Sequence, residues 1–392
     1  MAHFIQRLLP PPDHSFFLFG PRSIGKSFWL RRHFQDALFF DLLDNRTYLE
    51  LSRDPTLLDA KIGNQKPRIW VCIDEIQKIP SLLNEVQRLM ESKKYRFALS
   101  GSSARKLKRG GANLLAGRAI TKAMEGFTYG ELGESIGLQS LLEWGTLPLV
   151  ALNPKLAADT LSAYVHTYIK EEIKEEGVVR RIEPFVRFLE IAGILNGQQL
   201  NKENVARDAK IPRSTVDIYF EVLVDTLLGH FLPPYRPAIK VREKTHPKFY
   251  WFDPGVARGA ASLLYDPPDS VWLGKSLETL IFHELRVYNH ISSKNRMISF
   301  YRTTGGSEID FVIEIKKRTA GTKAQMVCLE VKYSKNWRRE WEGPMRSLAQ
   351  SRKIDVKKMF GVYCGKDQYS FDGVEVLPVS TFLRMLFKGE IF

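Results

Sequence analysis

Gly20, Gly25, Lys26 and Ser27 stand at the spacing Gly-x-x-x-x-Gly-Lys-Ser, directly after the apolar run Phe16 to Phe19. A strand, this pattern and a helix together make a phosphate-binding loop. Glycines let the stretch Gly20, Pro21, Arg22, Ser23, Ile24 and Gly25 wrap closely and turn backbone N–H groups toward phosphate oxygens. The following helix adds its positive amino end. Lys26 brings a charge to the β- and γ-phosphates of ATP, and the Ser27 hydroxyl can ligate Mg²⁺. A second apolar run, Ile69 to Ile73, ends in Asp74 and Glu75. There Asp74 holds the Mg²⁺, directly or through water, and Glu75 polarises the water that attacks the γ-phosphate. The bland reading is a strand followed by an acidic helix cap.

Further chemistry-bearing residues lie downstream. The run Tyr95 to Leu99 is followed by Ser100 and Ser102, and either hydroxyl suits a γ-phosphate sensor. Arg118 is an arginine finger for a neighbouring subunit or its own site, or a solvated arginine after a turn. Near the carboxyl end, Asp310 precedes a strand bearing Glu330 and Lys332, which share one face because they are two apart. Two carboxylates and a lysine at a sheet end can bind Mg²⁺ and activate water against a phosphodiester. Glu284, on a helix, completes that metal shell; otherwise these are surface charges at strand edges.

The elements that must position these groups fall into three blocks: 1–131, 132–265 and 266–392. The first alternates strands and helices, with Phe39 to Asp44 as a further strand. A helix over Ile79 to Glu91 aligns Leu82, Leu83, Val86, Leu89 and Met90 on one face. The fully apolar strands belong in a parallel sheet, whose carboxyl edge binds ligands. The basic stretch Arg105 to Gly111 reads as a mobile loop, touching a nucleic-acid backbone or simply solvated. The middle block is mostly helical. Lys202 to Asp208, a turn at Pro212 and a second helix capped near Ser214 or Thr215 have helix-turn-helix spacing. The runs from Gly229 and Pro247 supply the wing strands of a winged helix, which reads DNA with Arg213 leading or packs against other domains. The last block is α/β: a helix Leu273 to Asn289, a hairpin Ile298 to Glu314 and a strand Ala324 to Lys332.

The chain has 392 residues and a formal net charge of +14, a balance that favours an anionic partner such as DNA over mere colloidal solubility with no specific partner. Its three cysteines, Cys72, Cys328 and Cys364, form no metal or disulfide pattern and suit a reducing cytoplasm. No apolar run is long enough to span a bilayer, and the first residues lack a signal-peptide core, so the expected location is cytoplasmic.

Gly20 to Ser27, Ile73 to Pro80, Leu99 to Leu107, Leu115 to Ala119, Lys248 to Gly255, Ser307 to Val312 and Leu329 to Lys332 together resemble a prokaryotic family of AAA-type ATPases. Its members join a P-loop domain to a C-terminal domain with a PD-(D/E)xK nuclease-like fold. The resemblance implies an α/β chain: a P-loop AAA-type domain, a helical and winged-helix middle domain, and a restriction-endonuclease-like α/β domain. It places Lys26, Ser27, Asp74 and Glu75 in an ATP site, and Asp310, Glu330 and Lys332 in the nuclease-like site. Two functions are consistent with this. One is an ATP- and Mg-dependent switch or motor on DNA, a homo-oligomer if Arg118 acts between subunits, with a domain that binds or cleaves DNA. The other is an ATP-controlled protein-interaction switch with an inactive recognition domain.

Overall fold

The computed structural model describes residues 5–392 except 104, 106, 108–114, 116, 134–135, 170–172, 174–176, 178, 180–181, 237–245, 303–304, 320–321 and 352–353. The basic stretch after Arg105 therefore lies mostly outside the described residues.

Four-residue β1 (Phe16–Phe19) is apolar throughout and buried on both faces. It leads through the Gly-rich loop to α1 (Lys26–His33). Next come β2 (Leu38–Asp41), α2 (Asn45–Arg53), α3 (Leu57–Ile62), β3 (Trp70–Asp74), α4 (Leu82–Ser92), β4 (Arg96–Gly101) and β5 (Ile120–Ala123). The strands pair in the order β2-β3-β4-β1-β5, every neighbour parallel. All carboxyl ends thus open on one edge, with β4 between the loop strand and the acid strand. Phe17 and Phe19 join α4's Leu82, Leu83, Val86 and Leu89 in one core, while Phe16 and Leu18 face Trp29 on the other side. Burying alternate residues on opposite faces is what a strand's period of two dictates. The expected strand through Asp44 stops at Asp41, because Asp44 instead caps α2, accepting from Thr47 N at 2.8 Å.

Short helices α5 (Tyr129–Leu132), α6 (Leu138–Trp144), α7 (Pro148–Ala151) and α8 (Ala157–Ala163) follow, the last continuing as a π-helical stretch Tyr164–Ile169. Then come α9 (Ile182–Ile194), β6 (Gln198–Gln199), α10 (Lys202–Ala209), α11 (Arg213–Asp225), β7 (Gly229–Leu232) and β8 (Lys248–Trp251). Antiparallel pairs place β8 between β6 and β7. Pro212, not Ser214 or Thr215, is the residue before α11, with no side-chain cap. The tertiary face of this block shares a core with β1 and α1: Tyr164, Val165 and Ile169 pack with Phe16, Leu18 and Trp29.

After α12 (Pro254–Ala260), the 22-residue α13 (Ser270–Ile291) starts at Asp269, whose carboxylate accepts from Trp272 N at 2.7 Å. It crosses a six-stranded sheet of β9 (Met297–Arg302), β10 (Glu308–Lys316), β11 (Ala324–Lys332), β12 (Ile354–Tyr363), β13 (Tyr369–Phe371) and β14 (Val374–Pro378), ordered β13-β14-β12-β11-β10-β9. Helices α14 (Gly343–Ala349) and α15 (Val379–Lys388) complete it. The expected β9–β10 hairpin is antiparallel, and its register shifts between Ile309 and Val312. That irregularity sits at Asp310, where a bulge re-aims side chains.

Two candidate functional sites

The first site lies on the carboxyl edge of the five-stranded sheet. Gly20 is needed where it stands: a Cβ there would come within 2.1 Å of Met124 O and 2.5 Å of Ile24 Cδ1. Ser23 and Gly25 both have positive φ, 59° and 91°, so the loop coils back on itself before α1. Lys26 is buried and its ammonium donates to Gly20 O at 2.7 Å and Pro21 O at 2.9 Å. The loop thereby holds its own lysine at its centre. Arg22 lies 5.0 Å from the Tyr168 ring, so the π-helical stretch Tyr164–Ile169 leans on the loop from the middle block.

Asp74 and Glu75 are both buried, yet each is served separately. Ser100 Oγ donates to Asp74 Oδ1. Gln77 Nε2 donates to Glu75 Oε2 at 2.5 Å and reaches Ser102 Oγ at 3.2 Å. The two serines, indistinguishable by sequence, are thus divided: Ser100 serves the first acid, and Ser102 serves the second through Gln77. Glu75 takes a left-handed conformation, φ 60°, directly after β3, which turns its carboxylate back toward the loop. Burial raises the Glu75 carboxyl above its ordinary range, while Lys26 pulls it back and Asp74 adds to the rise. Gln77 was not singled out by the sequence reading. Its signal is Gly101, because a Cβ there would stand 2.4 Å from Gln77 Oε1. A cavity of about 290 Å³ opens beside Gly25, lined by Ile5, Ile24, Phe28, Phe127, Pro148 and Leu152.

Arg118 is not brought to this edge. It precedes β5, whose Ile120 pairs with Phe16 at the amino end of β1, and its guanidinium meets Glu91 at 2.7 Å. With ~3.3 Å per strand residue, the sheet's depth separates it from Gly20. A role for Arg118 within its own loop is therefore corrected by the topology.

The second site lies where α13, β10 and β11 converge. Asp310 Oδ2 accepts from Val331 N at 2.8 Å. Lys332 Nζ stands 2.5 Å from Glu330 Oε1 and 3.6 Å from Asp310 Oδ2. So Asp310, Glu330 and Lys332 do come together. Glu284 does not join them. Its Oε1 accepts from Tyr129 N at 2.6 Å, which makes it a cap on the first turn of α5. Burial pushes the Glu284 carboxyl up to about 7, against the pull of His283. Glu278, six residues earlier, faces the cluster instead. Six residues turn a helix by about 600°, so the two glutamates cannot share a face. Burial raises Glu278, and Asp310 is the next cause. Burial, then Asp310, likewise raises Glu330, whose Oε2 is buried with no hydrogen-bond partner.

The middle block also reaches this site. Lys248 and Tyr250 alternate with Phe249 and Trp251 on β8, so the polar pair shares one face. Tyr250 OH donates to Glu278 Oε2 at 3.0 Å, and Lys248 Nζ lies 2.5 Å from Glu308 Oε1. Four carboxylates (Glu278, Glu308, Asp310, Glu330) therefore face two lysines (Lys248, Lys332). Among the described residues, no three His, Cys, Asp or Glu side chains stand in an arrangement that could hold a metal ion.

Arg213, the expected leading DNA contact, is engaged by Glu203 at 3.2 Å and by Asp217. The exposed residues Glu221 and Asp225 follow on the same helix, and Asp225 pairs with Arg105 of the first block at 2.6 Å.

Three successive stretches of the chain match family models. Residues 13–133 match the AAA domain family, which supports an AAA-type ATPase and ATP binding. Residues 136–267 match a domain of unknown function (DUF8612), and residues 273–382 match another (DUF4143). The chain is similar to the uncharacterized proteins Rv2008c of Mycobacterium tuberculosis and Mb2031c of Mycobacterium bovis. Each is 25% identical over 314 residues, covering 78% of this chain and 68% of the relative. No helix of the described residues is long and apolar enough to cross a membrane.

Proposed function

We propose that the chain is an ATP hydrolase acting as a switch, whose output reaches a phosphodiester-binding site in the last block. The observation that carries the hydrolase reading is the separate service of the two acids at the loop's mouth. Ser100 fixes Asp74, leaving it for the cation, while Gln77 aims Glu75, whose raised carboxyl suits a base for water. Mg²⁺, held by Ser27 and Asp74, would neutralise charge developing on the phosphates. Lys26 sits at the centre of the loop to meet the β- and γ-phosphates, and the apolar cavity beside Gly25 suits a nucleobase. Arg118 fits this reading only as a finger offered to a neighbouring copy.

In the last block Asp310, Glu330 and Lys332 come together, but without three side chains arranged to hold a metal ion among the described residues, which favours recognition over metal-assisted cleavage. The order α9-β6-α10-α11-β7-β8 fits a winged helix. Its α11 favours protein packing over DNA reading, because Asp217, Glu221 and Asp225 outnumber Arg213, and acids repel phosphates. This specific observation supports the second reading, a nucleotide-controlled interaction switch with a recognition domain. Supercoiled plasmid with Mg²⁺ or Mn²⁺, with and without ATP, separates the two: nicking lost in Asp310→Ala supports cleavage. No nicking under any condition leaves the interaction switch.

A further inference from the structure

One cation of the phosphate loop is held by another block. Arg22 stands directly before Ser23, whose φ of 59° doubles the loop back. The Arg22 guanidinium lies 5.0 Å from the centre of the Tyr168 ring. Tyr168 stacks on Tyr164 with centroids 5.2 Å apart, and Tyr164 OH donates to Arg22 O at 3.4 Å. The π-helical stretch of the middle block thus grips Arg22 at its guanidinium and at its carbonyl. A gap of about 10 Å³ beside it is lined by Ser102, Tyr164 and Thr226. It is too small for a ligand of its own, so Arg22 borders Ser102, whose hydroxyl is linked through Gln77 to Glu75. Burial raises the Glu75 carboxyl, Lys26 opposes it most, Asp74 adds to the rise and Arg22 also opposes it, so both loop cations act where water is activated.

The γ-phosphoryl group spreads its charge over three oxygens as it passes from ADP to water. Lys26 is one point charge at the loop's centre, and Arg118 lies on the opposite edge of the sheet. A guanidinium offers a planar fork that matches two phosphoryl oxygens, which an ammonium does not. We propose that Arg22 is a catalytic residue of the chain's own ATP site, leaving the Tyr168 ring to stabilise the γ-phosphoryl oxygens during hydrolysis. The water oxygen bonds to the γ-phosphorus, the bond to the bridging oxygen breaks with its electron pair kept by ADP, and Glu75 takes the water's proton. Arg22 offsets charge and transfers nothing. A cation over a ring is weakly held, so phosphoryl oxygens outcompete the ring for the guanidinium. The middle block, through Tyr168, then sets how readily Arg22 reaches the phosphate. This inference rests on the reading of the chain as an ATP hydrolase.

The test is phosphate release by the full chain at saturating ATP and Mg²⁺, paired with affinity for a fluorescent ATP analogue. The proteins are wild type, Arg22→Ala, Tyr168→Leu, the double variant and Glu75→Gln. Arg22→Ala should bind the analogue within about three-fold of wild type and lose about 10³-fold in kcat, with added guanidinium ion restoring part of the loss. Arg22→Lys, which keeps the charge without the fork, should recover little of kcat, and it replaces the alanine variant should that fail to fold. Tyr168→Leu should raise kcat about three-fold, and the gain should vanish in the Arg22→Ala background. Turnover lost in Glu75→Gln but kept in Arg22→Ala overturns Arg22 as a catalytic residue and leaves the hydrolase reading standing. An affinity loss that accounts for the whole effect of Arg22→Ala does the same. A Tyr168→Leu effect equal in both backgrounds overturns the hold by the ring. No ATP hydrolysis by the wild type overturns both the hydrolase reading and this inference.

Discussion

Where the three blocks meet, acid should loosen the protein through one histidine. Glu125, just past β5, takes both guanidinium nitrogens of Arg286 on α13, at 2.7 and 2.8 Å. His283 of α13 stands 3.5 Å from the same carboxylate, and His230 of β7 completes the group. His230 Nε2 is buried without a hydrogen-bond partner. Burial, then Arg286, lowers the imidazole from 6.5 to about 3, although Glu125 resists. The unfolded chain therefore binds a proton below its ordinary pKa that the folded chain refuses. Stability contributed by the neutral ring is complete above pH 6.5 and is lost as pH falls toward 3. One pH unit of such mismatch is worth about 1.4 kcal/mol, so moving from pH 8 to pH 5 costs the wild type about 2 kcal/mol. His230→Leu cannot take up that proton. Urea unfolding at both pH values should show the variant gaining about 2 kcal/mol on the wild type between them. His283 and Glu125 titrate in both proteins and largely cancel in the difference. A pH-independent difference, or a wild type that gains on the variant in acid, would refute the reasoning.

Other expectations are as direct. Lys26→Ala should abolish binding of a fluorescent ATP analogue, and unchanged affinity would sink the loop assignment. Glu75→Gln should keep ATP bound, because Asp74 and Ser100 are untouched, and slow phosphate release about 10²- to 10⁴-fold; normal turnover would remove Glu75 from water activation. Glu125→Gln strands Arg286 in a largely buried setting and should cost about 3–5 kcal/mol. Adding Arg286→Met should cost much less than the sum, and strict additivity in the double-mutant cycle would deny the pair. The folded Glu284 carboxyl holds its proton to about 7, so wild-type stability falls as pH rises from its ordinary value through 7. Glu284→Gln should therefore gain about 2 kcal/mol on the wild type between pH 5 and pH 8.

What the sequence made legible was local, and what it hid was docking. The loop at Gly20 and the acids after Ile73 were readable because a strand, a turn and a helix a few residues apart fix their geometry by covalent spacing. Alternation on β8 is equally readable: Lys248 and Tyr250 must share a face. Nothing in that alternation says which domain the face will meet, because only the packing of β8 beside β10 decides it. The error at Glu284 has the same origin. Helix α13 is buried on most of its circumference, with Leu277, Leu280, Ile281 and Leu285 all inside. Its apolar periodicity therefore marks no single inner face, and a glutamate at 278 or 284 is equally compatible with it. One points to the sheet and its acids, the other to the first turn of α5. The own-site alternative for Arg118 is lost for a related reason, since a parallel sheet sends a residue before a strand to the edge opposite its ligand site. Such a residue can serve a phosphate only across a boundary between copies. The residues that join blocks (Glu125, His230, Arg286, Lys248) are polar groups buried by partners more than a hundred residues away or in another domain. Each is costly to bury alone, so each marks a place where this chain ties its blocks together. Any change of nucleotide state that moves the middle block must therefore break or re-form those ties.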